Sequence, residues 1–182
     1  MFTIPFTAKA SDLTYGVTAE NLSSPKSLEV YANGNFPPTL VVDDSEINRK
    51  MLSKLLKTKK IECSMAEDGE VALETIEKDM NSFRLIFIDN LMPVMNGVDA
   101  TKALRERGYP YLIVGLTGNV MKEELEEFIS AGLSIAFSKP VRVPQINMLI
   151  EFIHESGTLH RAGHFLSEVH GKYVWTLFTS TD

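Results

Sequence analysis

The chain contains one cysteine, Cys63, so it cannot form a disulfide within itself. A lone thiol fits a reducing compartment, and the cytoplasm is the expected location. Long apolar runs are missing: none approaches the roughly 20 residues that a membrane-spanning helix needs. The N-terminus, MFTIPFTAKA, lacks a charged region followed by a continuous apolar one, so no secretory signal is read there. Basic charge is also short. Lys and Arg number 18 against 24 Asp and Glu, a formal net charge of −6. A surface that tracks nucleic-acid phosphates needs a basic stripe, so direct nucleic-acid binding is not expected. What is present is a globular composition, 44% hydrophobic and 23% charged in 182 residues, enough for one domain with tails.

Residues 1–37 read as an N-terminal tail. Ser, Thr, Asn and Pro recur there, periodicity is weak, and YANGNFPP ends the segment with turn formers. From Thr39 the pattern becomes regular. TLVVDD is a short apolar run ending on Asp43 and Asp44. It precedes SEINRKMLSKLLKTKK, whose Ile47, Met51, Leu52, Leu55 and Leu56 recur at helical spacing behind a Ser45 or Asp44 cap. IECSMA reads as a second strand. EDGEVALETIEKDM reads as turn and helix, with Val71, Leu73, Ile76 and Met80 facing in. RLIFID is a third strand ending on Asp89, and VDATKALRERG a helix closed by Gly108. YLIVGLTG is a fourth strand. MKEELEEFISAG is a helix with Leu125, Phe128 and Ile129 inward and Gly132 as its C-terminal cap. SIAFSKP is a fifth strand and VPQINMLIEFIHE a last helix. In the C-terminal tail, 156–182, LHRAGHFLSEVH reads as a short helix and KYVWTLF as a short strand.

Five strand–helix repeats over residues 38–155 predict an α/β fold, a doubly wound parallel sheet in flavodoxin-like order 2-1-3-4-5. The switch point of that order lies between the first and third strands, which end on Asp43-Asp44 and Asp89. Three carboxylates brought together repel by roughly 4 kcal/mol per pair at 4 Å in an effective dielectric near 20, so a cation is expected among them. Oxygen donors of this kind suit Mg2+. The fourth strand ends at Thr117-Gly118 and the fifth at Lys139-Pro140. A nucleophile, metal ligands, a hydroxyl, a backbone N–H and an ammonium are the parts that phosphoryl transfer uses. Taken alone, Asp43-Asp44 reads first as a helix cap, Asp89 as a turn residue and Lys139 as a surface lysine. Their joint occurrence changes the reading.

Together VVDD (41–44), AEDGEVAL (66–73), IFIDNLMPVMNG (86–97), LTGN (116–119) and SKP (138–140) make the chain resemble the receiver domain of two-component and phosphorelay signalling proteins. VDDSEINRK is most similar to receivers of hybrid histidine kinases. The resemblance implies that Asp89 accepts a phosphoryl group from a phosphohistidine of a histidine kinase or histidine phosphotransfer protein. It implies that Asp43, Asp44, Asp89 and the backbone carbonyl of Leu91 hold Mg2+. It also implies that Thr117, the Gly118 N–H and Lys139 bind the phosphoryl group, and that Pro140 follows a cis bond. Such a module assists its own phosphorylation and dephosphorylation and turns over no free substrate.

Two positions depart from the family pattern. The aromatic usually found three residues before the lysine is Ala136, and Phe137 lies one residue later, on the opposite strand face by alternation. The switch region of Thr117, Ala136 and Phe137 is therefore expected to work through the fourth helix and loop motion, or the domain to act mainly as a relay. Leu91 offers no polar group to guide water, so slow self-hydrolysis is expected. Two other classes stand beside this one. A haloacid-dehalogenase-type phosphatase would need a second Asp two residues after Asp89, where Leu91 stands. A degenerate receiver would serve only as a protein-binding scaffold.

Overall fold

The computed structural model describes residues 2–4, 36–118, 122–156, 164–169 and 172–177. The short apolar runs become strands and the 3.6-period segments become helices. In chain order these are β1 (Phe2–Ile4), β2 (Thr39–Val42), α1 (Glu46–Thr58), β3 (Cys63–Ala66) and α2 (Gly69–Lys78). β4 (Leu85–Asp89), α3 (Gly97–Glu106), β5 (Leu112–Thr117), α4 (Lys122–Ser130), β6 (Ile135–Ser138) and α5 (Val143–Ser156) follow, then β7 (His164–Val169) and β8 (Lys172–Leu177).

β3-β2-β4-β5-β6 are all parallel, which is the expected 2-1-3-4-5 order of the five repeats. The sheet does not stop there. β7 pairs parallel with β6, β8 antiparallel with β7, and β1 antiparallel with β8, giving eight strands in one sheet. The segment expected to be a short helix in LHRAGHFLSEVH is thus strand over His164–Val169. An open β6 edge would leave a row of backbone donors and acceptors unpaired, and pairing satisfies them. KYVWTLF is strand as expected, over Lys172–Leu177. Most of residues 1–37, including YANGN, lies outside the described residues.

Alternation along the strands divides the core in two. Leu40, Val42, Ile86, Ile88, Ile113 and Ala136 face one way, under α2, α3 and α4. Val41, Leu85, Phe87, Val114, Leu116, Ile135 and Phe137 face the other, with Leu52 and Leu56 of α1 and Ile146, Leu149 and Ile153 of α5. Each Val, Leu, Ile or Phe among them fully removed from water contributes about 1.5–3 kcal/mol. β2, β4 and β5 are therefore buried throughout, whereas β3, at an edge, exposes Ser64 and Met65. The helix stripes differ from their expected form in detail. Ile47 and Met51 are exposed and only Leu52 and Leu56 of the α1 stripe are buried. In α2 the inward residues are Ala72, Leu73 and Ile76, with Val71 half-buried, and Met80, also half-buried, lies past the helix end at Lys78.

The helices start where strand ends hand over the chain, and side chains cap them there. Ser45, Asp68 and Asn96 each accept a backbone N–H of the first turn, from Asn48, Val71 and Asp99. Gly108 and Gly132 close α3 and α4 at φ +83° and +103°, a backbone region that glycine enters without a side-chain clash.

One core group is out of place. Thr101 of α3 is fully buried, and among the described residues its Oγ1 has no hydrogen-bond partner. Thr101→Val keeps the shape and removes the stranded hydroxyl, so we expect a gain of about 1 kcal/mol. Urea unfolding reads this directly, and a lower midpoint for the variant would show that the hydroxyl is satisfied in solution.

Candidate functional site

Parallel strands place their carboxyl ends side by side. Val42 lies opposite Ile88, Asp89 opposite Leu116 and Thr117 opposite Ser138. The residues at and just beyond those ends, Asp43-Asp44, Asp89-Asn90, Thr117-Gly118 and Lys139, therefore share one rim. Backbone bonds continue past the strands and fix it: Asn90 N–H donates to Leu116 O at 3.1 Å and Lys139 N–H to Thr117 O at 2.8 Å. The Lys139–Pro140 peptide is cis, as the resemblance implies.

At this rim the three carboxylates meet. One oxygen of each of Asp43, Asp44 and Asp89 lies within 4.8 Å of the others. Asp43 and Asp89 are 1% and 6% exposed, while Asp44 is open to solvent. Lys139 reaches into the gap from β6. Its Nζ lies 2.9 Å from Asp43 Oδ2 and 2.7 Å from Asp89 Oδ1. Burial pushes the Asp89 carboxyl above the ordinary range. The hydrogen bond and charge of Lys139 oppose that rise without cancelling it, and the Asp43 carboxylate adds to it. Burial works to lower the Lys139 ammonium, but its bonds to Asp89 and Asp43 outweigh that and hold it above its usual value. The lysine is thus firmly charged, and the acid beside it holds a proton more readily than a solvated carboxylate.

Asp43 is held from several sides. Its Oδ1 accepts from Ser45 N–H at 2.9 Å, and Asn48 Nδ2 lies 3.0 and 3.3 Å from its two oxygens. Arg49 donates from Nη1 to the carbonyls of Asp43, at 2.5 Å, and Asp44, at 3.1 Å. Asn48 and Arg49 were visible in the sequence only as part of the VDDSEINRK text. Their place near the acids follows from helical spacing: the first turn of α1 folds back over the strand end that precedes it.

The remaining expected positions fall as follows. Thr117 is buried at the end of β5. A methyl on Gly118 would meet nothing within 4 Å, so the backbone there borders open space. Leu91 is 73% exposed, just beyond the end of β4. Ala136 and Phe137 belong to opposite core faces, as alternation requires, and the Phe137 ring packs near Phe87 at 6.4 Å between centroids. All the expected site residues lie on the rim except Ala136 and Phe137, which belong to the body of β6. Among the described residues, no other group of three His, Cys, Asp or Glu side chains is placed to hold a metal. His160 lies outside the described residues, and His164, four residues further on, begins a strand.

A doubly wound parallel sheet with an acidic cluster and a lysine at its switch point is an arrangement suited to phosphoryl transfer. The comparisons agree. Residues 39–151 match the model of the response regulator receiver domain, and the chain belongs to that family. It is 37% identical over 116 residues to two-component response regulator 24 of Arabidopsis thaliana, covering 64% of this chain and 81% of that protein. It is 33% identical over 111 residues to sensor histidine kinase RcsC of Salmonella typhi, covering 61% of this chain but only 12% of the kinase. Among solved structures, chemotaxis protein CheY4 of Vibrio cholerae superposes with a TM-score of 0.60 at 30% identity, over 65% of this chain and 99% of CheY4. The receiver domain of Ssk1 from Saccharomyces cerevisiae, solved in complex with the histidine phosphotransfer protein Ypd1, gives 0.59 at 25% identity, over 66% and 94%. The chain is thus homologous to receivers of phosphorelays, and no described helix is long and apolar enough to cross a membrane.

Proposed function

We propose that Asp89 is the phospho-acceptor of this receiver, taking its phosphoryl group from a phosphohistidine on a histidine kinase or histidine phosphotransfer protein. The observation that carries the reading is the convergence of Asp43, Asp44 and Asp89 within 4.8 Å, with Lys139 Nζ bonded to two of them. An Asp89 carboxylate oxygen attacks phosphorus, the new O–P bond forms as the P–N bond breaks, and the imidazole leaves with the electron pair. The product is an acyl phosphate on a rigid strand end.

The hard oxygen set fits Mg2+, held by Asp43, Asp44, Asp89 and the Leu91 carbonyl. Bound there, the ion would neutralise charge on the transferring phosphoryl group. Lys139 then moves its bond from Asp89 to a phosphoryl oxygen, Thr117 donates its hydroxyl to another, and Gly118 supplies a backbone N–H. Asn48 and Arg49 keep Asp43 in place while this happens. The exposed Leu91 side chain offers no hydrogen bond to an attacking water, so the phosphorylated form is long-lived.

This chain offers a donor apolar contacts around the site. Ile47 and Met51 on α1 and Leu91 and Val94 beyond β4 are exposed around the acidic rim. A cleft of about 730 Å³ runs beside them, lined by Met51, Leu55, Pro140 and Val141. In this reading the receiver body spans residues 38–155, acts in the cytoplasm as a relay or output module, and has no free substrate of its own. The test is intact-mass spectrometry after incubation with acetyl phosphate and Mg2+. One added phosphoryl group, absent from Asp89→Asn and from an EDTA control, is expected. Folded wild-type protein that gains no mass would favour a protein-binding scaffold.

A further inference from the structure

We propose that Phe128 of α4 is a positioning residue that ties the acceptor loop to α4, and that a change at Asp89 reaches the surface of α4 through its ring. The inference rests on the reading of Asp89 as acceptor and names the element that responds.

Phe128 is 1% exposed. A methyl built on Gly97, the first residue of α3, would stand 2.9 Å from its Cζ, and one built on Gly115, in β5, 2.7 Å from its Cε1. Gly97 and Gly115 do not have positive φ, so conformational freedom does not explain either glycine. The ring occupies the space that side chains there would need. Gly115 lies opposite Ala136 on β6, and Ala136 is fully buried in the same cluster as Phe128. One aromatic ring thus fills the space beside both glycines, in the core cluster that also holds Ala136.

The ring also has a path to the acceptor. Gly97 N–H donates to Asn90 O at 2.9 Å, and the backbone carbonyl of Asp89 lies against Gly97 Cα. Gly115 lies two residues before Thr117. Any shift of the Asp89-Asn90 turn or the end of β5 presses on Phe128, and α4 carries Phe128 as a rigid body. The outer face of that helix is acidic, with Glu123, Glu126 and Glu127 exposed. Motion of that helix is the response.

Two measurements test this. The first is a stability cycle of Phe128→Ala, Ala136→Phe and the double variant. Each single change is expected to destabilise, one by a cavity and one by overpacking, and the double to recover much of the summed loss because both rings claim one space. Strictly additive losses would overturn the shared space. The second is amide NMR with Mg2+ and beryllofluoride on wild type and on Phe128→Leu, which keeps the core filled. Wild type is expected to show shifts at Asn90 and Gly118 and along α4. In the leucine variant the shifts at the rim persist while those along α4 fall at least about twofold. Unchanged α4 shifts in that variant would overturn the coupling. Wild type with no rim shifts and no mass gain from acetyl phosphate would overturn the Asp89 assignment and the coupling with it, whereas recovered stability in the double variant would keep the ring in its place.

Discussion

Gly97→Ala is expected to destabilise the fold by about 3 kcal/mol and to disturb the Asp89-Asn90 turn. On helix propensity alone the sign would be opposite, since alanine is favoured over glycine by about 1 kcal/mol inside a helix. Position decides otherwise. The new Cβ would lie 2.2 Å from the backbone oxygen of Asp89, 2.9 Å from Phe128 Cζ and 3.0 Å from Asn90 Cα. Two of those atoms are backbone and cannot swing away, so the β4–α3 connection itself must move. Gly108→Ala is the matched control. Its φ of +83° is unfavourable for alanine, but nothing lies within 4 Å of the added methyl, so a loss of about 1 kcal/mol is expected there. Thermal melts should separate the two, with Gly97→Ala falling by roughly 10 °C. Labelling by acetyl phosphate should drop in Gly97→Ala alone. Equal melting points for the two variants would mean that the loop relaxes freely, and Asp89 would then not be rigidly held.

Much of this arrangement was legible from the residue order. Apolar runs that end on Asp43 and Asp89, with 3.6-period segments between them, are enough to define the parallel sheet, its strand order and the rim where the acids meet. That follows because strand burial and helix amphipathicity are local patterns with fixed periods. Ser45 as a cap and Gly108 and Gly132 as helix ends were legible for the same reason.

What escaped depends on contacts between distant segments. Ile47 and Met51 repeat at core spacing, yet α1 turns them outward beside the acidic rim, and spacing alone does not say how wide the buried stripe is. HFLSEV has no strong alternation, and pairing with β6 on one side and β8 on the other makes it a strand. His170-Gly171, between Val169 and Lys172, was the short-range signal for the β7–β8 hairpin. Gly97 and Gly115 looked like a turn residue and a strand residue. Their reasons are distant contacts: the Asp89 backbone oxygen and the Phe128 ring crowd Gly97, and Phe128 with Leu133 crowds Gly115, the ring arriving from α4, 31 and 13 residues further along the chain. Asn48 could not be assigned to Asp43 until α1 was placed over the strand end.

Lys139→Met should show how far the acid cluster depends on its lysine. Metal-free at pH 7.5, the variant is expected to lose about 3 kcal/mol, the usual consequence of leaving buried charge without its partner. The lysine is the shared cation of Asp43 and Asp89, at 2.9 and 2.7 Å, and both acids are nearly inaccessible to water. The pH dependence follows from the direction of the shifts. Asp89 is raised above its unfolded value, chiefly by burial, so the folded state binds the extra proton. Its favourable contribution is complete below the ordinary carboxyl range and is lost as pH rises through the raised folded value. Removing Lys139 takes away the group that opposed this rise, so the window moves further up. Lys139 is itself raised, so in wild type its contribution persists through neutral pH and is lost only in strong alkali. The deficit of the variant should therefore be largest near neutral pH and shrink toward pH 4.5. Mg2+ should restore part of it, because a cation again stands among three carboxylate oxygens. Urea titrations at the two pH values, with and without Mg2+, give all four numbers. A deficit that ignores both pH and Mg2+ would mean that Lys139 serves the fold through packing alone, and its role at the phosphoryl group would have to be given up.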